Sequence, residues 1–354
     1  MKIGIITFWG TKDNYGQVLQ CYALQQYLIS QGHEPFLIRY NRENDVLPDT
    51  LLNNILKVIN PKRVYSFFQN KQKKHIINKE ASENNRQFET FYKNNIICSS
   101  EIYNSYDELK KNPPKADCYV TGSDQVWNFF GLPLHRCINQ LHVAFLDFGD
   151  TKIRKEAFSV SWGVTSLKKN FVDEIKPLIQ KFDKITVREE SGLSLCNLCG
   201  VKNAEWTKDP TMFLSADVYR NLYKKYGVQK KNNPYIFFYY LDNGGKFNKK
   251  SVFDFAKKNN LEVVYVSANM NIDDYKKEYP TIPEWLCLID NAEYVITNSF
   301  HGTVFSILFN KKFSFIKLTG KSSGMNTRFE SLLKITNYNE NWLNNSEFEK
   351  FTKV

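Results

Sequence analysis

Short apolar runs alternate with stretches of helical spacing along most of this chain. The first run, Ile3-Gly4-Ile5-Ile6-Thr7-Phe8, reads as a strand over residues 2–8. A polar loop, Lys12-Asp13-Asn14-Tyr15-Gly16, follows it. From Gln17 the apolar positions turn helical: Val18, Leu19, Tyr22, Ala23, Leu24, Tyr27 and Leu28. Gly32 ends that helix, and Pro35–Ile38 reads as a second strand. The first 40 residues therefore predict a β-loop-α-β start, the opening of a doubly wound sheet.

The same alternation continues. Strands are predicted at Asp117–Thr121, Ala157–Trp162 and Lys184–Val187, with helices at Phe171–Phe182 and Glu190–Leu198. A second unit begins near residue 210. Its strands are predicted at Tyr235–Leu241, Glu262–Ser267, Tyr294–Thr297 and Phe313–Leu318. Helices over Asn248–Asn259, Ile282–Asn291 and Phe300–Phe309 separate them. Residues 41–112 are rich in Lys, Asn and Gln and read as a mostly helical insertion. The expected class is α/β with two Rossmann-like domains, 1–210 and 211–325. A helical tail over 326–354 (Phe329, Leu332, Leu333, Trp342, Leu343) is expected to pack back on the first domain. The 354-residue length agrees with two domains, since single cores rarely exceed ~250–300 residues.

Composition changes the picture in three places. The formal net charge is +11, which favours an anionic partner. The Lys-rich pieces are dispersed, however, and no basic stripe interleaves with the aromatics, so nucleic acid is not the expected partner. Seven Cys without a signal-type leader predict a reducing, cytoplasmic setting. Cys196 and Cys199 form one CxxC with no second pair, so no metal site is expected. No apolar run reaches the ~20 residues of a membrane span.

In doubly wound sheets ligands sit beyond the carboxyl ends of the strands, so the loops after strands carry the candidate chemistry. The first is Asn14-Tyr15-Gly16-Gln17, where glycine admits close approach and a helix N-terminus favours an anion. The second is Ser123-Asp124-Gln125-Val126-Trp127-Asn128, a mixture suited to sugar hydroxyls with a ring lying on Trp127. A helix cap by Ser123 or Asp124 is the simpler alternative. The third is Ser299-Phe300-His301-Gly302-Thr303, which puts an imidazole in the first turn of a helix. Arg188 and Arg328, at a strand end and in a loop, have the fork geometry for phosphate or carboxylate.

Six motifs occur in order: Asn14–Gln20, Gly122–Asn128, Val187–Ser191, Asp209-Pro210-Thr211, Asn298–Thr303, and Arg328 with Ser331-Leu332-Leu333. Together they resemble the polysaccharide pyruvyl transferase family, over about residues 2–335. The resemblance implies a glycosyltransferase B-like arrangement of the two domains, with phosphoenolpyruvate as donor and no other cofactor. It implies His301 as proton donor and Arg188 on the donor. One departure stands out: relatives often carry Arg two residues before that His, where this chain has Ser299. Arg328 or a lysine is then expected to hold the donor anion, with Ser299 and the Gly302 and Thr303 amides beside it. Asn14, Tyr15, Gly16, Gln17, Ser123, Asp124, Trp127 and Asn128 are expected to face the acceptor. That acceptor would be a hexose such as galactose on a lipid-linked or surface polysaccharide, reached at an anionic membrane face. Two rivals stay open: a nucleotide-sugar glycosyltransferase of the same fold, and a non-enzymatic basic module for anionic glycan or nucleic acid.

Overall fold

A computed structural model describes residues 1–48, 79–80, 82–129, 131–241, 247–268, 273–338 and 342–343. Seven parallel strands form the first sheet: β1 (Lys2–Ile6), β2 (Glu34–Tyr40), β3 (Cys98–Tyr103), β4 (Cys118–Thr121), β5 (Arg154–Val160), β6 (Lys184–Val187) and β7 (Glu205–Trp206). Their order is β3-β2-β1-β4-β5-β6-β7, so the winding reverses between β1 and β4. Parallel neighbours need crossovers, which the helices supply. They are α1 (Tyr15–Ser30), α2 (Phe88–Asn95), α3 (Tyr106–Lys111), α4 (Leu134–Ala144), α5 (Lys169–Ile179) and α6 (Ser191–Leu198). The second sheet is also parallel, ordered β12-β11-β10-β8-β9. Its strands are β8 (Tyr235–Leu241), β9 (Glu262–Ala268), β10 (Tyr294–Thr297), β11 (Phe313–Ile316) and β12 (Trp342–Leu343). The helices around it are α7 (Ala216–Lys225), α8 (Lys250–Lys258), α9 (Ile282–Asp290), α10 (Phe300–Leu308) and α11 (Thr327–Thr336). The chain is thus two Rossmann-like domains in a glycosyltransferase B-like arrangement.

Strand β8 shows why the second sheet forms. Tyr235, Phe237 and Tyr239 enter one apolar cluster, and Ile236, Phe238 and Tyr240 enter another. A period of two with both faces covered is the signature of a central parallel strand. The first of those clusters also contains Tyr15, Val18 and Leu19 of α1, so one core runs through both domains. Tyr15 is its link. Its ring stacks on Trp285 at 5.1 Å, and its hydroxyl donates to the Pro280 carbonyl at 2.6 Å. Burial pushes the Tyr15 hydroxyl well above its ordinary pKa, so it remains a neutral donor.

Two readings of the sequence need correction. Residues 98–103 were expected to belong to a mostly helical insertion, but they form β3, an edge strand paired to β2. Its polar Ser99-Ser100-Glu101 stretch hides the strand pattern, as edge strands often do. Residues 49–78 of that insertion lie outside the described residues. Trp342 and Leu343, read as helical tail, instead add a parallel edge strand to β11. Helix α11 bridges the domains. Phe329 stacks on Phe315 at 5.2 Å, while Lys334 pairs with Glu190 at 2.7 Å.

Candidate active site

The loop after β10 is fixed before its chemistry begins. Asn298 exchanges two hydrogen bonds of 2.7 Å with the backbone of Leu241, at the end of neighbouring β8. Ser299 then caps α10, its Oγ accepting from the Gly302 amide at 3.3 Å. The Thr303 amide also goes to Ser299, through its carbonyl, at 3.0 Å. Those two amides are therefore engaged within the helix start, and Ser299 is their acceptor. First-turn geometry leaves the amides of Phe300 and His301 without a partner from the helix. Gly302 is required here, since a Cβ would come within 2.6 Å of Thr297 Oγ1.

His301 is buried, with its Nε2 3.5 Å from Asp209 Oδ2. That separation is a polar contact at the outer limit of hydrogen bonding, and Nε2 has no closer partner among the described residues. Asp209 follows β7 and begins a 3₁₀ turn, where it accepts from the amide and hydroxyl of Thr211 at 3.1 and 2.7 Å. It also accepts from Arg188 Nη1 at 2.8 Å. Burial works to raise the Asp209 pKa, but the His301 imidazole and the Arg188 guanidinium outweigh it and hold the carboxyl well below its usual range.

Arg188 stands directly after β6. Its second fork nitrogen reaches Asp124 Oδ1 at 3.2 Å. Burial opposes its charge, but Asp124 and Asp209 hold its pKa above the ordinary value. Both terminal nitrogens of Arg188 are thus engaged by carboxylates, while its buried Nε has no partner among the described residues. Arg188 acts here as the clamp that presents Asp209 to His301. Arg328, at the start of α11, is different. It is buried, and among the described residues no carboxylate lies within ion-pair reach. Its one hydrogen bond is a long one, 3.4 Å from Nε to the Met325 carbonyl. Burial first, and then neighbouring Arg188, bring its pKa down to about 10. Both guanidiniums lie over the Phe300 ring, at 4.3 and 5.8 Å from its centre.

Gly16 closes the cluster from the first domain. A Cβ there would fall inside the His301 ring, within 2.9 Å of the His301 Cβ and closer still to Cγ and Nδ1. The α1 N-terminus and the imidazole are therefore in direct contact across the domain boundary. Asn14 caps α1, accepting from the Gln17 amide at 3.2 Å. The Gln17 side chain makes no hydrogen bond among the described residues and lines a cavity.

The loop after β4 faces inward, not toward an acceptor. Ser123 is wholly buried, its hydroxyl donating to the Ser159 carbonyl at 2.8 Å and its amide donating to Gln20 Oε1 at 3.1 Å. Asp124 holds Arg188. Trp127 is 1% exposed, stacked on Phe145 at 4.6 Å, with its Nε1 donating to the Ala144 carbonyl. It presents no face for a sugar ring. Asn128 donates to Gln125 Oε1 at 2.9 Å. Tyr15 is committed to the shared core.

Sequence reasoning left out Asp209, Glu189 and Phe300 as site residues. Asp209 was visible in the Asp209-Pro210-Thr211 motif, but the two-residue strand before it was not. Glu189 is buried, accepting from Ser161, Trp162 and Gly163 through one oxygen. Cys196 and Cys199 lie in the apolar core of the first domain, where burial pushes their thiols up to about 12 and about 11. Among the described residues no His/Cys/Asp/Glu group has the makings of a metal site, and no helix is long and apolar enough to cross a membrane.

Two parallel-sheet domains that meet over a buried His–Asp–Arg cluster place the chain in the two-domain α/β class. Within that class the family is shown by a family model: the model described as polysaccharide pyruvyl transferase matches residues 14–317, and the chain belongs to that family. It is therefore a transferase. Comparison with curated proteins gives no match. Among solved structures, the chain is similar to UDP-GlcNAc 2-epimerase from Methanocaldococcus jannaschii, at 14% identity and TM-score 0.45, covering 100% of this chain and 99% of that one. The Neisseria meningitidis UDP-GlcNAc 2-epimerase gives 11% identity and TM-score 0.43, covering 100% and 94%. An alpha-glucosyltransferase in complex with UDP and DNA gives 11% and 0.44, covering 95% and 90%.

Proposed function

We propose that this protein transfers the pyruvyl unit of phosphoenolpyruvate to a pair of hydroxyls on a hexose, closing a cyclic ketal and releasing phosphate. The observation that carries the reading is the pairing of His301 with a buried carboxylate, beside a buried arginine that has no carboxylate of its own. The reaction needs a proton on the methylene carbon of the donor. That proton makes the adjacent carbon electrophilic. One sugar hydroxyl attacks it, the proton of that hydroxyl leaves with the departing phosphate, and the second hydroxyl closes the ring and returns its proton to His301. His301 supplies the proton. Asp209, beside Nε2, stabilises the imidazolium. Arg328 holds the donor's carboxylate or phosphate, in place of the arginine that relatives carry where Ser299 stands here. Arg188 keeps Asp209 in place. The scheme uses no cofactor beyond the donor.

The acceptor in this reading is a hexose, such as galactose, of a lipid-linked or surface polysaccharide precursor. The net charge of +11 suits work at the anionic cytoplasmic face of a membrane. The test is thermal unfolding with phosphoenolpyruvate against a panel of nucleotide sugars. A ligand at ~100 times its dissociation constant adds about 2.7 kcal/mol, enough to move the midpoint by a readable amount. The expected result is a shift with phosphoenolpyruvate that is lost in His301→Ala and Arg328→Met. A shift with a nucleotide sugar and none with phosphoenolpyruvate would replace the reading with nucleotide-sugar glycosyl transfer.

A further inference from the structure

Beyond the carboxyl ends of β1 and β2 lies a cavity of about 630 Å³. This is the side of the first sheet where the order reverses between β1 and β4, the place where doubly wound sheets take their ligands. The volume falls in the ~300–1,000 Å³ range of small-molecule sites, room for one or two pyranose rings. Its lining is mixed. Phe8 and Trp9 supply half-buried rings, and Gln17 and Asn41 supply amides. The Trp9 indole is held in one orientation by its Nε1 donating to the Tyr40 carbonyl at 2.8 Å. The cavity's cation, Arg42, is turned to neutral oxygens: Asn128 O at 2.8 Å, Val126 O at 3.4 Å and Gln140 Oε1 at 3.4 Å. It also sits over the rings of Phe8 and Phe129.

An anion site would aim that guanidinium outward, so this lining is the wrong chemistry for phosphate. Fixed rings beside amide donors and acceptors match the apolar face and hydroxyl edge of a neutral sugar. The position also fits. Gln17 lines the cavity, and its neighbour Gly16 touches His301. The geometry points to this cavity as the subsite for a neutral hexopyranosyl unit, with Trp9 as the ring platform and Gln17 facing the hydroxyls. The platform expected at Trp127 thus moves to Trp9. Calling this sugar the acceptor rests on the pyruvyl-transfer reading; its binding here does not.

The test is saturation-transfer NMR on the full chain with methyl β-galactopyranoside, methyl β-glucopyranoside and uridine as separate probes. A hexoside should take up saturation through its ring C–H groups. Gln17→Leu removes no hydrogen bond seen in the fold, so it decides the case: its hexoside affinity should fall at least about tenfold. Trp9→Ala should lose the signal as well, read together with its unfolding midpoint, and Trp9→Phe should restore it. Neither change should alter the midpoint shift given by phosphoenolpyruvate, which reports separately on His301 and Arg328. Hexoside binding that is absent from the wild type, or unchanged in Gln17→Leu, would overturn the assignment. Uridine binding in place of the hexosides would do the same and make the cavity a nucleoside site.

Discussion

The contact between Gly16 and His301 makes a prediction that needs no substrate. Gly16 lies in the first turn of α1 with ordinary helical backbone, so alanine there meets no backbone penalty. Helix propensity alone would favour the change by up to ~1 kcal/mol. The imidazole opposes it, because the new methyl would overlap Cγ and Nδ1 of His301. Overpacking of this kind costs about 1–3 kcal/mol. In the wild-type background Gly16→Ala should therefore be neutral to destabilising by about 2 kcal/mol. In a His301→Ala background the ring is gone, and the same change should stabilise by up to ~1 kcal/mol. The coupling between the sites is the steric term, about 1–3 kcal/mol. Urea unfolding of the four proteins measures it through midpoint shifts. Equal shifts in both backgrounds, with coupling below ~0.5 kcal/mol, would show that the ring does not rest on Gly16 and would refute the packing argument. Catalysis should suffer more than stability, because a ~1 Å displacement of a reacting group can remove about 10²-fold in rate.

Two other changes separate structural charge from functional charge. Asp209→Asn leaves Arg188 with Asp124 alone and should cost about 3 kcal/mol at neutral pH, the lower end for a broken buried pair. Because the folded-state pKa of Asp209 lies below its unfolded value, its contribution is complete above about pH 4 and is lost as pH falls further. The stability gap between wild type and Asp209→Asn should thus narrow on acidification below pH ~4, and a gap that stays constant in pH-dependent urea titrations would contradict the assignment. Arg328→Met should do the reverse of the usual core mutation. It removes a cation that burial and Arg188 both disfavour, so unfolding should occur at the same or a higher denaturant concentration, while phosphoenolpyruvate affinity falls at least about tenfold. Loss of stability with donor binding intact would assign Arg328 to the scaffold.

How much of this was visible in the sequence depends on whether the signal was local. Strands β6, β8 and β10 stand at the boundaries expected for them, because each is a short β-rich run whose consecutive positions are mostly buried on both faces. Edge strands β3 and β12 escaped, the one for its polar composition and the other for its length of two residues. The site shows the same division. His301, Ser299 and Asn14 could be found because a strand end followed by a capped helix start is a local pattern. The partners of Arg188 could not, since Asp124 and Asp209 lie 64 and 21 residues away and arrive through the sheet order. Nor does spacing say which way an indole points. Trp9 and Trp127 both follow strands at the same end of the sheet, yet only Trp127 is packed into the core, stacked on Phe145 and edge-to-face with Trp162.

These placements bear on how such an enzyme can move. His301 belongs to the second domain, while Asp209, Arg188 and Gly16 come from the first, so the cluster exists only where the domains touch. Tyr15 occupies that same junction, stacked on Trp285 and bonded to the Pro280 carbonyl. Pulling it out would expose a fully buried aromatic ring, which costs several times the ~1 kcal/mol of its hydrogen bond. Parting the domains at α1 and α10 would therefore both expose Tyr15 and separate His301 from Asp209, so the contact that seals the junction is also the contact that assembles the cluster.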